Sequence, residues 1–125
     1  MAGLQDAVQD ALPNLLITAG AEAADKRTIT VQARDAANNN LAQRFLVRVW
    51  IDTVEYGDGD ATDNTVVIET GTEYDDEMVN AAYKVISDAN GTVAIGVTIP
   101  GAATRYIMAE IDGRIYSSGE ITWAA

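Results

Sequence analysis

The chain has 125 residues, 48% of them hydrophobic, and a net charge of −11 from 19 Asp and Glu against 8 Lys and Arg. That length supports one core, burying roughly two-thirds of the surface its unfolded form exposes, and the recurrence of Val, Ile, Thr and Tyr excludes disorder of the whole chain. So acidic a surface repels phosphate backbones and disfavours nucleic acid as a partner, while the absence of His and Cys removes the commonest base, the commonest metal ligand, thiolate chemistry and disulfides.

At the N-terminus, Leu4, Val8, Ala11 and Leu12 recur at helical spacing up to Pro13. Residues 1–14 are therefore expected to form a short helix or arm, ahead of a single domain over 15–125. The apolar stripe Leu4, Val8 and Leu12 has little reason to exist on a free surface, and is the candidate contact with a neighbouring subunit or a larger surface. No basic region followed by an apolar run opens the chain, so synthesis in the cytoplasm without secretion is expected. The longest uncharged apolar stretch, Ala11 to Ala21, is interrupted by Pro13 and Asn14 and falls short of the ~20 residues of a membrane span.

From Leu15 onward the period becomes two. Thr28-Ile29-Thr30-Val31-Gln32-Ala33-Arg34 alternates polar and apolar residues, as a strand with one wet and one dry face does. Asp35 to Asn40 supplies turn residues. A strand follows with Phe45, Val47, Val49 and Ile51 on one face and Leu46, Arg48, Trp50 and Asp52 on the other.

Tyr56 to Asn64 reads as a turn-rich crossing, and Thr65 to Thr70 as a short strand bounded by Gly71. The acidic run Tyr74-Asp75-Asp76-Glu77 precedes the apolar segment Ala81 to Ser87. Asp88-Ala89-Asn90-Gly91 predicts a tight type I′ hairpin turn, with Thr92 to Ile99 as the returning strand. Thr104 to Ile111 and Arg114 to Ser118 are joined by a second hairpin signature, Asp112-Gly113, and Gly119 to Trp123 closes the chain. Seven or eight short strands point to an all-β fold, a single antiparallel β-sandwich. Its core is expected to contain Ile29, Val31, Phe45, Val47, Val49, Val85, Val93, Ile95, Val97, Ile107 and Ile111.

Ten of the 19 acids lie between Asp52 and Glu77, a stretch without Lys or Arg, so one face or edge should be strongly negative. Within it, Asp58, Asp60, Asp63 and Glu69 approach the oxygen-ligand spacing of an EF-hand loop. The position such a loop reserves for glycine holds Asp63, however, and the flanks read as strands, so a structural turn is the expectation and no metal or other cofactor is implied. Ser87, Ser117 and Ser118 lack a Gly-x-Ser-x-Gly elbow. Asp75 and Asp76, adjacent on an extended chain, would point to opposite faces. Trp50 beside Arg48, and Tyr106 beside Arg105, read as packing rather than as stacking platforms. No catalytic constellation is present, and an enzyme is not expected.

The order of these pieces resembles that of small virion proteins of tailed phages. The similarity rests on Thr28 to Asp35 followed by Asn-rich turn residues, Leu41-Ala42, the strand Phe45 to Ile51, Ser87 to Gly91, Ala103-Thr104-Arg105-Tyr106 and the terminal Gly119-Glu120-Ile121-Thr122-Trp123. It covers roughly residues 15 to 125. The resemblance implies an immunoglobulin-like or jelly-roll-like sandwich on the capsid surface, a decoration (cement) protein or part of a head fibre, with the major capsid protein as partner. It also implies a homo-oligomer, a trimer before a dimer, and carries over no catalytic residues. The chain lacks the Cys pair of antibody domains. Other expectations consistent with the residues are a tail or neck module, and a carbohydrate- or receptor-binding sandwich with Trp50, Trp123 and tyrosines exposed on one face.

Overall fold

The computed structural model describes residues 14–124, and the expected N-terminal helix or arm with Leu4, Val8 and Leu12 lies outside them. The described residues form an antiparallel β-sandwich of nine strands: β1 (Asn14–Ala19), β2 (Lys26–Arg34), β3 (Leu46–Asp52), β4 (Thr65–Thr70), β5 (Thr72–Met78), β6 (Ala82–Ile86), β7 (Thr92–Thr98), β8 (Ala103–Ile111) and β9 (Arg114–Trp123). One sheet has the order β1-β2-β7-β4 and the other β5-β6-β3-β8-β9. Only β1–β2, β5–β6 and β8–β9 are hairpins between neighbours in sequence; every other connection crosses from one sheet to the other.

The alternating runs identified the interior. Ile29, Val31, Val47, Val49, Val85, Val93, Ile95, Val97, Ile107 and Ile111 are all buried between the sheets, each contributing about 1.5–3 kcal/mol. Phe45 differs from the expectation: it precedes β3 and is only partly buried against the edge of the core. Leu15, Ala33, Ile51, Val66, Ala81, Tyr83, Ile99, Ala109, Ile121 and Trp123 complete the interior. Alongside the core, β1 packs next to β9 and β8, so two sheet edges cover each other on that side.

Of the two expected hairpin turns, one joins different sheets and the other is a hairpin. Asp88 to Gly91 is a turn, with the Asp88 carboxylate accepting from the N–H groups of Asn90 (2.9 Å) and Thr92 (3.0 Å). It is not a type I′ hairpin: of Asn90 and Gly91 only Gly91 has positive φ (73°), and the strands it joins, β6 and β7, belong to different sheets. Each of those strands has its own partners, β3 and β5 for β6, and β2 and β4 for β7. The Asp112-Gly113 turn does have both residues at positive φ (50° and 77°) and joins β8 to β9 as a true hairpin.

On the opposite side β4 runs almost directly into β5 and changes sheets at Gly71. A Cβ there would sit 2.8 Å from the Ile86 carbonyl oxygen and 2.9 Å from a Val85 methyl, and φ is 104°. Glycine permits this sharp transfer. Strand β5 was not foreseen as a strand because it lacks a dry face: all seven of its residues are exposed, and two bulges interrupt its pairing with β6.

The β1–β2 hairpin closes through reciprocal backbone bonds between Ala23 and Lys26 (2.9 and 3.0 Å), placing Ala24 (φ 51°) and Asp25 (φ 66°) in the left-handed region. An alanine there bears a steric penalty of about 1–2 kcal/mol. The double substitution Ala24→Asn, Asp25→Gly is expected to raise unfolding stability by about 1 kcal/mol in urea titrations, with an unchanged m-value.

Candidate functional site

The outer face of the five-stranded sheet carries a second apolar cluster, Trp50 (3% exposed), Ala82 and Met108 with Tyr106 against them. It is covered by a strap formed by residues 53–60 that leaves β3 and folds back over the sheet. The strap's anchor is the buried Asp52 carboxylate, which accepts from the N–H groups of Val54 and Gly59, both at 2.9 Å, one on each oxygen. The Trp50 indole donates to the Gly57 carbonyl (2.7 Å), and the Ser117 hydroxyl on β9 bonds the Glu55 carboxylate (2.6 Å). Buried polar groups thus serve the strap's backbone, which would otherwise lie over an apolar surface without partners.

Beyond the strap, residues 60–64 close one end of the sandwich over Arg105. Its guanidinium is buried and has no carboxylate partner within salt-bridge distance among the described residues. It donates instead to Asn64 Oδ1 (3.1 Å) and to the carbonyls of Thr62 (3.0 Å) and Thr104 (2.9 Å). The side-chain amide of Asn64 donates in turn to the Asp60 carbonyl. The alternation of β8 places Arg105 on the inward face, two residues before the core residue Ile107, although its charge argues for the surface.

The four residues with EF-hand-like spacing are not brought together. Asp60 makes a local turn, accepting from the Thr62 N–H at 2.8 Å. Asp58 and Asp63 are exposed, Asp63 with a φ of 61°. Glu69 lies on the outer face of the other sheet, where it pairs with Lys26 (3.1 Å) and accepts from the Thr28 hydroxyl (3.2 Å). Among the described residues no group of three or more carboxylates is placed to hold a metal ion.

The serines act structurally. Buried Ser87 accepts from the Phe45 N–H (2.8 Å), and Ser118 from the Ile107 N–H (3.1 Å). Asp75 and Asp76 point to opposite faces, opposite Lys84 and Tyr83 respectively. Burial pushes the Tyr83 phenol above its usual value of 10.0, and the nearby Glu73 and Asp76 charges act in the same direction.

Across the outer face of the five-stranded sheet, Lys84, Arg48 and Glu110 occupy directly opposed positions on β6, β3 and β8. Arg48 lies over the Trp50 ring, 4.2 Å from its centroid, and bonds Glu77 at 2.7 Å. Beside it is a shallow depression of about 230 Å³, lined by Leu46, Arg48, Lys84, Glu110, Asp112 and Gly113. Trp50 and Trp123 are 3% and 2% exposed, so neither offers the open aromatic platform that a sugar-binding face would use.

No family model matches this chain, and no curated protein matches it. Among solved structures it is similar to a conjugative transposon lipoprotein from Bacteroides eggerthii, at 10% identity and a TM-score of 0.49, over 90% of this chain and 95% of that one.

Asp52→Ala should free the strap. Loss of two hydrogen bonds to a buried carboxylate is expected to lower stability by about 1–3 kcal/mol, and tryptophan emission should shift to the red as Trp50 meets water. Asp60 is held below its usual value of 3.8, chiefly by hydrogen bonds from the Thr62 side chain and backbone, with the Arg105 charge adding to them. The ionised form is therefore favoured by folding, and its contribution is present above the unfolded pKa and lost as pH falls through the lower folded one. Melting curves of the native chain and Asp60→Asn should differ near neutral pH, and the gap should close as pH drops below about 4.

Proposed function

We propose that this chain is a non-enzymatic structural protein of a tailed-phage virion that binds the outer capsid surface as a decoration (cement) protein and stabilises the shell. The observation that carries this reading is the sandwich's closure combined with an acidic edge strand that it leaves exposed among the described residues. Its crossings are tied by Asp52, Arg105 and Ser87, while β5 extends outward with Glu73, Asp75, Asp76 and Glu77, exposed at every residue. A module of this form offers a partner faces and edges.

The resemblance of residues 15 to 125 to small virion proteins supports the same reading. Repetition on a shell would make many modest contacts act together, and the acidic strand would either meet a basic patch or keep particles apart. The major capsid protein is the proposed partner. A homo-oligomer, trimeric before dimeric, is the proposed state, with Leu4, Val8 and Leu12 as the proposed shell or subunit contact.

Particles purified from the source and labelled with gold-conjugated antibody against the chain would test this in negative stain. Label over the icosahedral head is the expected result. Label confined to the tail, neck or a head fibre would move the protein to one of those modules, and unlabelled particles would overturn the reading. Deleting residues 2–12 should leave the sandwich folded by circular dichroism and reduce capsid occupancy; unchanged occupancy would shift the contact to the sandwich itself.

A further inference from the structure

The depression on the outer face of the five-stranded sheet has a division of charge that the rest of the structure uses only in part, through the Arg48–Glu77 pair. Its cations, Arg48 and Lys84, stand on β3 and β6, while its acids, Glu110 and Asp112, stand on β8 and at the tip of the β8–β9 hairpin. Arg48 and Glu110 are direct cross-strand neighbours, where opposite charges ordinarily pair. Here they do not. Arg48 is drawn to the other side by Glu77, through its Nε at 2.7 Å, and is steadied by the Trp50 ring beneath it. Among the described residues the ion pairs are Arg48–Glu77 and Lys26–Glu69, so Lys84, Glu110 and Asp112 have no ionic partner within 4 Å among them. The terminal nitrogens of Arg48 make no hydrogen bond to any described residue.

Arg48 and Lys84 are like charges side by side on neighbouring strands, which is destabilising; Glu77 engages Arg48 through Nε alone, and Asp75, opposite Lys84 on β5, makes no ion pair with it within 4 Å. The acids at the opposite wall, Glu110 and Asp112, follow each other two residues apart in the chain. Between the walls lies Leu46, two residues before Arg48 on the same face of β3 and 53% exposed. We propose that this depression binds a small zwitterion of the α-amino-acid class. The carboxylate is held by Arg48 and Lys84, the ammonium by Glu110 and Asp112, and an apolar side chain lies on Leu46. The depression is smaller than the ~300 Å³ at which pockets for drug-sized ligands begin, which suits a ligand of this size. The acidic wall argues against phosphates and other purely anionic ligands. The site is independent of the particle reading and stands or falls separately from it.

Three probes separate the contributions of the two charges: leucine, N-acetylleucine with the carboxylate alone, and leucine amide with the ammonium alone. In amide-resolved NMR titrations of the full chain, leucine should give saturable shifts at Arg48, Lys84 and Gly113, with each single-charge analogue at least tenfold weaker. Lys84→Met and Glu110→Gln, both at partly exposed positions, should each weaken leucine binding at least tenfold and leave distant resonances in place. The proposal is overturned if leucine gives no saturable shift up to about 50 mM. It is equally overturned if either single-charge analogue matches leucine, or if the two variants bind it as the native chain does. The analogue series needs only the native chain, so it decides the matter even where a variant fails to fold.

Discussion

A guanidinium buried without a carboxylate is the constraint around which one end of this sandwich is built. Arg105 points into the interior in line with Ile107 and Ala109, and taking a charged group out of water is unfavourable unless its donors are satisfied. The donors are met by Asn64 and by the carbonyls of Thr62 and Thr104, which fixes the path of the chain just before β4 begins. The position of β4 against β7 follows from that path, and the placement of the acidic loop with it. The Asp52 carboxylate does the converse at the other end of the same connection, where a buried anion gathers backbone N–H groups. The segment from Asp52 to Asn64 thus carries Glu55, Asp58 and Asp63 outward while its backbone is organised by the buried Arg105 and Asp52.

The sequence made the layers of the fold legible and the connections much less so. Alternation located the inward residues of β2, β3, β7 and β8 because each carries a run in which every second residue is apolar and faces the core, even though Trp50, Ala94 and Met108 are buried on the other face. It missed β5 because that strand is wet on both faces and is held to the sheet by its backbone ladder with β6 and the Glu77–Arg48 ion pair, not by an apolar face. Turn chemistry misled in both directions. Asn90-Gly91 has the composition of a hairpin but links two sheets, whereas Ala24-Asp25 forms a tight hairpin without either of the residues that usually announce one. A turn signature reports local backbone freedom, and which strand pairs with which is decided by long-range burial.

Legibility at the level of sites followed the same division. The spacing of Asp58, Asp60, Asp63 and Glu69 is a one-dimensional pattern, and the fold takes Glu69 to the outer face of the four-stranded sheet. A bulge between Ile68 and Thr70 accompanies that change of direction. There Glu69 reaches across β7 to Lys26 on β2, and the two side chains pass directly over Gly96, where a Cβ would collide with the Glu69 carboxylate and lie 2.6 Å from the Lys26 side chain. Conversely, Arg48, Lys84 and Glu110 are far apart in the chain and become neighbours only through the order β6-β3-β8. No local motif could have joined them.

Sealing an open sheet edge without closing a barrel requires some device at every unpaired strand, and this chain uses a different one at each. β1 and β9 lie beside each other. The outer edge of β4 is capped at Val66, whose N–H donates to Asn80 Oδ1 (3.0 Å), and Asn80 is itself held in the left-handed region (φ 63°) with its N–H on the Tyr83 hydroxyl (2.7 Å). That leaves β5, which is protected by charge and bulges alone. An acidic, irregular edge repels another copy of itself while remaining accessible to a surface of opposite sign. The four acids of β5, Glu73, Asp75, Asp76 and Glu77, therefore have a structural reason prior to any partner: they guard an edge that, among the described residues, neither packing nor a side-chain cap covers.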